Sequence, residues 1–453
     1  MKREWANYSM QRMGASRSAQ SVIGAQWRLA PTADAERWPK QHMPKFHLCA
    51  ALSTFGAQKQ LPMNKSILLL SLFSWLLSVQ SGSAATQVIA WGWNGYGQLN
   101  VPSGLTNVTA ISAGQGTTLA LNADGTLVQW GSINYDPTHQ VPASLRAPRA
   151  ISSGSDPFNL ALKTDGTVVG WGGNDYGCSS PPAGLNGVIA IAAGYVHSLA
   201  LRSDGTVVAW GDNSEGQTKV PSWLSNVVAV AAGEFHSLAL RSDGTVVGWG
   251  SNYDGEATGT PTITPSGTNG VVTRNGQVLT GVVAIVAGNG RFSLGVRRDG
   301  TLVQWGSTSF TGGAPPSNVS NVVAVAAGTS YVLALKRDGT VTGWGIDMSG
   351  ETRPPEGLTG VVAIDAAPAG PSFALVAGDD FPRVAVSAPQ KSPNSFTLSV
   401  SAEANHVYAL EYTDSLLGNA WTSLPLAAGN GANLTLADTN PSTSARFYRV
   451  RRW

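Results

Sequence analysis

Cysteine, histidine and charge are all scarce in this chain. Of 453 residues, two are Cys, six are His and 12% are Asp, Glu, Lys or Arg. Neither Cys49 nor Cys178 lies in a CxxC or Cys/His pattern, which excludes a zinc module and a disulfide scaffold. A Gly-rich loop ending in Lys, the cradle of a phosphate site, is also missing. Long apolar runs are absent apart from Ile67 to Leu77, which is too short to span a bilayer. A fold built from such a chain must hold by packing, and its length is sufficient for that.

The short apolar run has a specific setting. In "MNKSILLLSLFSWLLSVQSGSAA", Lys65 precedes the run and the small residues Ser83, Ala84 and Ala85 follow it. That order is the layout of a secretory signal peptide over 63–85. Residues 1–62 hold nine basic residues and three acids with no apolar periodicity. They read as a disordered upstream leader with Met63 as the true start; an unusually long basic leader is the alternative. With Lys65 also removed, 19 basic and 24 acidic residues remain, so the exported part is near −5 although the whole chain reads +2. No basic stripe is left for a nucleic-acid backbone. The group Arg446, Arg449, Arg451 and Arg452 reads as a solvated strand face.

What the chain does have is repetition. Trp-Gly pairs begin at Trp91, Trp130, Trp171, Trp210, Trp249, Trp305 and Trp344. Apolar segments running into Ala-Gly and Leu-Ala-Leu begin at Val108, Arg149, Val188, Val227, Val282, Val322 and Val361. Asp-Gly pairs at Asp124, Asp165, Asp204, Asp243, Asp299 and Asp338 separate the two signatures. Each unit reads as three short strands joined by a two-residue Asp-Gly hairpin, with a weaker fourth strand before Pro221 and its equivalents. A period near 40 residues with this β-content implies propeller blades. The segment opening at Thr86 supplies a third strand, and 361–376 supplies a first and second. The expected fold is therefore all-β: a seven-bladed β-propeller over 86–377, closed by pairing of its N- and C-terminal strands. A small C-terminal β-sandwich over 378–453 follows a linker "AGDDFP".

His197, Ser198 and Asp204 invite a catalytic-triad reading, which the repeat itself opposes. The slot of His197 and His236 holds Thr117, Phe158, Phe292 and Tyr331 elsewhere, so it is a packing position. Each Asp of Asp-Gly is a turn residue that would take the positive dihedral angles of the hairpin. Each Trp of Trp-Gly fills space between blades.

The pattern "AGxxHSLALxxDGTVVxWGxNxxGQ" resembles the repeat of the regulator of chromosome condensation family over 86 to about 377. The variant "GQTxVPxxLxNVVAIAAG" is most similar in style to exported bacterial members, among them a propeller-type β-lactamase inhibitory protein. In that inhibitor, aromatics after Ala-Gly and acids after Trp-Gly contact the target. Phe235 and Asp212 match those positions, whereas Gly116, Val196 and Ser330 depart from them. The guanine nucleotide exchange activity of nuclear relatives is not carried over, because an exported chain would not meet a nuclear GTPase.

Strand direction gathers the loops after Ala-Gly and after Trp-Gly at one end, and these are the segments that vary. The expected partner-binding residues there are Trp93, Tyr96, Tyr135, Tyr176, Asp212, Glu215, Phe235, Tyr253, Asp254 and Phe310, with Asp175 beside them. Aromatic anchors among charges suit a protein partner, or a glycan. The reading is a secreted or cell-envelope monomer that binds without catalysis, cofactor, metal or nucleic acid. Two alternatives stand beside it: an inhibitor of a secreted or periplasmic enzyme, and a hydrolase or lyase with a site in the central funnel. One segment is longer than its equivalents, between Trp249 and Trp305. Its Asn275-Gly276 predicts a type I′ hairpin, expected to project over the variable face.

Overall fold

The computed structural model describes residues 86–131, 139–155, 157–262, 267–309, 311–368, 370–377, 384, 386–392, 394–414, 421–441 and 446–453. The expected leader and signal peptide, the expected linker after Ala377, Tyr135 and Phe310 lie outside them. Among the described residues there is no α-helix, and so no helix long and apolar enough to cross a membrane.

The described chain begins with β1 (Gln87–Gly92). Blade 1 follows as β2 (Val108–Ala113), β3 (Thr117–Asn122) and β4 (Leu127–Gly131). Blade 2 is β5 (Pro148–Ser153), β6 (Phe158–Lys163) and β7 (Val168–Gly172). Blade 3 is β8 (Val188–Ala193), β9 (His197–Arg202) and β10 (Val207–Gly211). Blade 4 is β11 (Val227–Ala232), β12 (His236–Arg241) and β13 (Val246–Gly250), with β14 (Thr268–Val271) added outside β13. A short hairpin, β15 (Thr273–Arg274) and β16 (Gln277–Val278), comes next. Blade 5 is β17 (Val282–Ala287), β18 (Phe292–Arg297) and β19 (Leu302–Gly306). Blade 6 is β20 (Val322–Ala327), β21 (Tyr331–Lys336) and β22 (Val341–Gly345). Blade 7 takes β23 (Val361–Ala366) and β24 (Pro371–Val376) from the far end of the repeat array. Its third strand is β1, antiparallel to β24 from Gln87↔Val376 to Gly92↔Pro371.

Burial follows strand position. The middle strand of each blade is covered on both sides and reads as an unbroken apolar or small-residue run, "HSLAL" in β9 and β12. The third strands are half-exposed except for Trp in blades 1, 2, 3 and 6, while β13, covered by β14, is buried throughout. That Trp locks neighbouring blades: Trp210 Nε1 donates to Cys178 O at 2.8 Å, Trp249 to Gln217 O at 2.8 Å and Trp305 to Glu256 O at 2.9 Å. Trp91 of β1 makes the same bond to Glu351 O, 260 residues away, at 2.9 Å. These four Trp thus bury their apolar rings while satisfying their one donor, whereas the Trp344 Nε1 is buried without a partner. The following Gly has positive φ in every blade, from 82° at Gly306 to 120° at Gly345, which explains why no other residue stands there.

Four expectations need correction. The Asp-Gly hairpins are three-residue loops, not two-residue ones. Asn122 N–H donates to Thr126 O, Gly125 N–H to Asn122 O, and the positive φ falls on Gly125, as in a G1 bulge. Asp124 instead clamps the turn, accepting from Thr126 N–H at 2.8 Å and Thr126 Oγ at 2.7 Å, and the other five Asp repeat this. Those donors hold the carboxyls of Asp124 and Asp204 below the usual range and that of Asp165 down to about 2. Second, the segment before Pro221 forms turns rather than a fourth strand; in blade 4 the fourth strand comes from the longer segment. Third, Asn275 and Gly276 do form the hairpin turn, with φ of 53° and 75°. It lies at the Asp-Gly end, however, because β14 runs back along β13 and Val272 N–H bonds Val246 O before the hairpin begins.

The fourth correction concerns the C-terminal arginines. β25 (Val386–Ser392), β26 (Ser395–Ser401) and β30 (Asn433–Asp438) form one sheet. β27 (Val407–Thr413), flanked by β28 (Thr422–Ser423), β29 (Ala427–Ala428) and β31 (Phe447–Arg452), forms the other. Leu398, Val400, Leu436, Tyr408 and Leu410 from both sheets share one core. Arg446 meets Asp438 at 2.8 Å, Arg449 meets Glu411 at 2.7 Å and Arg452 meets Glu403 at 2.9 Å, so these bases are paired rather than solvated.

The sandwich packs on the propeller at the Asp-Gly end. Val407, Ala409, Leu426 and Trp453 join the core of blades 5 to 7. Asn405 Oδ1 accepts from Val230 N–H at 3.2 Å, Leu426 N–H donates to Arg298 O at 3.0 Å, and Arg451 donates to Arg337 O at 3.0 Å. Residues 401–406 also line the central channel, a cavity of about 770 Å³ between the inner strands of all seven blades.

Candidate functional site

Strand direction decides which loops share an end. Inner strands run toward the end where Ala-Gly stands, middle strands return, and third strands arrive again at Trp-Gly. The variable loops therefore gather opposite the Asp-Gly turns and the C-terminal sandwich.

The Gly of Ala-Gly is fixed by its neighbour. At Gly194 and Gly233, an added Cβ would run into the His197 and His236 rings; at Gly288 and Gly328 it would meet Phe292 and Tyr331. His197 and His236 are fully shielded, and burial pushes them down to about 3. Their Nε2 atoms bond Ser237 Oγ at 3.0 Å and Ser293 Oγ at 2.9 Å, each on the next blade. Ser198 Oγ donates to Cys178 O instead, at 2.8 Å, so the adjacent His-Ser pair never meets as nucleophile and base. The repeated residues stitch blades together.

One residue further along, the seven blades contribute Gln115, Ser155, Tyr195, Glu234, Asn289, Thr329 and Pro368. These form a ring around the mouth of the channel and line a depression of about 360 Å³, together with Ile346, Met348 and Glu351. Ser155 Oγ and Asn289 Oδ1 meet at 3.0 Å across the ring. Both also line the channel beyond, so this bond forms part of the depression's floor.

Around the mouth, the expected residues fall into separate groups. Trp93 and Tyr96 pack edge-on with ring centroids 5.1 Å apart, Tyr96 being exposed. Tyr176 stands alone and is 56% exposed. Phe235 packs edge-on with Tyr195 at 5.7 Å. Tyr253 lies under the Arg291 guanidinium at 5.1 Å, and Arg291 Nη1 is 3.8 Å from Asp254 Oδ2, which joins loops of blades 4 and 5. Arg291 has φ of 49°, an uncommon backbone state for a long side chain. Asp212 is half-buried and engaged in its own loop, accepting from Ser214 Oγ at 2.6 Å and Gln217 Nε2 at 2.7 Å. Glu215 accepts Gly267 N–H at its carbonyl, where the longer segment leans on blade 3. Among the described residues, no group of three His, Cys, Asp or Glu is arranged to hold a metal ion.

Sequence reading missed Tyr195, Glu234, Arg291, Ile346 and Met348, the last 84% exposed. The available signal was the column directly after Ala-Gly, whose seven residues face one another around the axis. The same reading passed over Asp365 on β23, where other blades carry Ala, Ser or Val. Its Oδ2 accepts Ala113 N–H at 2.6 Å, and burial in the channel pushes its carboxyl up to about 6.

No curated protein matches the chain in sequence. The Regulator of chromosome condensation (RCC1) repeat matches residues 149–178, 188–217 and 227–256. Among solved structures, Prp20p of Saccharomyces cerevisiae, described with its binding to Gsp1p and histones, is 19% identical with a TM-score of 0.54. That match covers 66% of this chain and 93% of Prp20p. Human WBSCR16 is 18% identical at a TM-score of 0.54, covering 66% of this chain and 100% of its own. Yeast RCC1 (Prp20) bound to Kap60 is 18% identical at 0.52, covering 73% and 97%. With these repeats in sequence and the propeller in structure, the chain carries regulator of chromosome condensation (RCC1) repeats on a β-propeller fold.

Proposed function

We propose that the protein is an exported, non-enzymatic binding protein that recognises a partner protein with the variable face of its propeller. One observation carries this reading. Exposed Tyr96, Tyr176, Tyr195, Tyr253, Ile346 and Met348 all stand at the end left open, while the sandwich occupies the other. Rigid aromatic anchors with charged neighbours on a preformed surface are what protein recognition uses. Export rests on the 63–85 segment. The protein partners of Prp20p give a precedent for this fold as a binding platform.

Enzyme inhibition is the narrower form of the same reading, favoured by Phe235 at the matching position and by its packing on exposed Tyr195. Catalysis is disfavoured by the burial of His197 and His236 and by their bonds to neighbouring blades. The test is capture of a partner from culture or envelope material on the immobilised protein, repeated with Tyr195→Ala and Tyr253→Ala together. Loss of the captured partner by more than about tenfold, with an unchanged melting curve, is expected of anchors worth about 2 kcal/mol or more. Equal capture by the variant would place the site elsewhere.

A further inference from the structure

The depression at the channel mouth has a distinct chemistry. Its volume of about 360 Å³ lies at the small end of the roughly 300–1,000 Å³ that ligand pockets span, room for one large side chain rather than a folded segment. The floor bond from Ser155 to Asn289 stops a chain from threading on into the channel. One wall is apolar, made by Ile346, Met348 and the Tyr195 ring that Phe235 holds edge-on.

The polar side offers acceptors. Glu234 and Glu351 both line the depression, Glu351 with its Oε2 already accepting Ser349 N–H at 2.8 Å, and among the described residues no Lys or Arg lines it. Three of its hydroxyl donors are spent inside the fold. Thr329 Oγ donates to Pro368 O at 2.7 Å, the Tyr331 hydroxyl to Pro371 O at 2.9 Å, and Ser155 Oγ to Asn289. Arg291, the nearby base, stacks on the Tyr253 ring and lies 3.8 Å from Asp254, and its charge also acts on Glu234 from outside the depression. The two carboxylates and the apolar wall therefore favour an occupant with positive charge at its tip and apolar carbon along its stem. Among side chains, Lys and Arg meet both demands.

We propose that this depression receives one projecting Lys or Arg of the partner protein. Its methylenes lie along Met348, Ile346 and Tyr195, and its charged head reaches Glu234 and Glu351. This rests on the variable face being the binding face. A Tyr ring beside the stem adds cation–π attraction, and Met is a wall that adapts to either side chain.

The probe is a phage-displayed library of disulfide-closed ten-residue loops, selected on the full-length protein. Parallel selections use Glu234→Gln, Met348→Lys and the Tyr195→Ala, Tyr253→Ala double variant. Met348 is so exposed that Lys there leaves the fold intact while placing a cation in the depression. The expected result is wild-type binders sharing one Lys or Arg at the loop tip. Replacing it by norleucine in the synthetic loop weakens binding at least tenfold, and both Glu234→Gln and Met348→Lys weaken it similarly. Binders without a shared basic residue, or unaffected by Glu234→Gln yet lost on the double Tyr variant, overturn the cationic occupant and leave the binding face standing. Binders indifferent to all of these variants, or no binders at all, overturn the binding face and this proposal with it.

Discussion

At one end of the ring six turns repeat both their hydrogen-bond pattern and their residues, and at the other a shared loop frame carries side chains that change from blade to blade. The Asp-Gly turns each place an Asp carboxylate on the Thr two residues later, and Arg298 and Arg337, beside two of those Asp, lend their carbonyls to the sandwich. The variable loops share the Gly after Trp and, in five blades, an Asn or Asp whose Oδ1 accepts the backbone N–H five residues on: Asn94, Asn174, Asn213, Asn252 and Asp347. Their remaining positions are released from the fold, and there Tyr176, Tyr253 and Met348 face solvent. Repetition marks where a side chain serves the ring. Variation at a structurally fixed position marks where it is free to serve something else.

That contrast breaks first if the ring opens. Deleting 86–92 removes β1, its six-residue register with β24 and the Trp91 bond to Glu351 O. More than about 5 kcal/mol should be lost, because burial of a Trp and a full strand disappears and β24 gains an exposed edge. Calorimetry should show a broadened, lowered transition; an unchanged one would mean that the ring stands without β1.

Two tryptophans sharpen the contrast at single-residue scale. Trp249 is fully buried with its Nε1 on Gln217 O, and Trp249→Ala should cost roughly 3–5 kcal/mol. Trp223 is half-exposed at the Asp-Gly end, and Trp223→Ala should stay within about 0.5 kcal/mol. Urea titrations of both decide; similar midpoints would contradict the latch.

The buried histidines give a smaller, pH-dependent effect. Their folded values, about 3, lie below the ordinary 6.5, so the stability they secure is full above pH 6.5 and is lost as pH falls toward 3. Each should cost about 2 kcal/mol at pH 5. His197→Phe should remove its share of that loss, since Phe158 fills the same slot in blade 2 and Ser237 Oγ keeps its bond to Gln217 O. A wild-type melting temperature flat from pH 7 to 5 would refute this.

Much of the ring was legible because a repeat is local information copied many times. Trp-Gly and Ala-Gly fixed strands, ends and facing columns, and Asn275-Gly276 announced its turn. Legibility stopped where distant pairing decides. The hairpin's position depends on β14 finding the edge of β13, and the sandwich's seat depends on Leu426 meeting Arg298 and Asn405 meeting Val230. Asp124 was misread for a different reason: its short carboxylate suits both a positive φ and an acceptor role, and only geometry separates them. Tyr195 and Met348 escaped because neither stands in the slot that Phe235 suggested.

The most direct test of the division between the two ends is hydroxyl-radical footprinting of the protein with and without a captured partner. Protection on binding should fall on Tyr96, Tyr176, Tyr195, Tyr253 and Met348, while Trp223 and Phe447 label equally in both states. Protection of Trp223 or Phe447 with continued labelling of Met348 and Tyr253 would put the partner on the other end and contradict it.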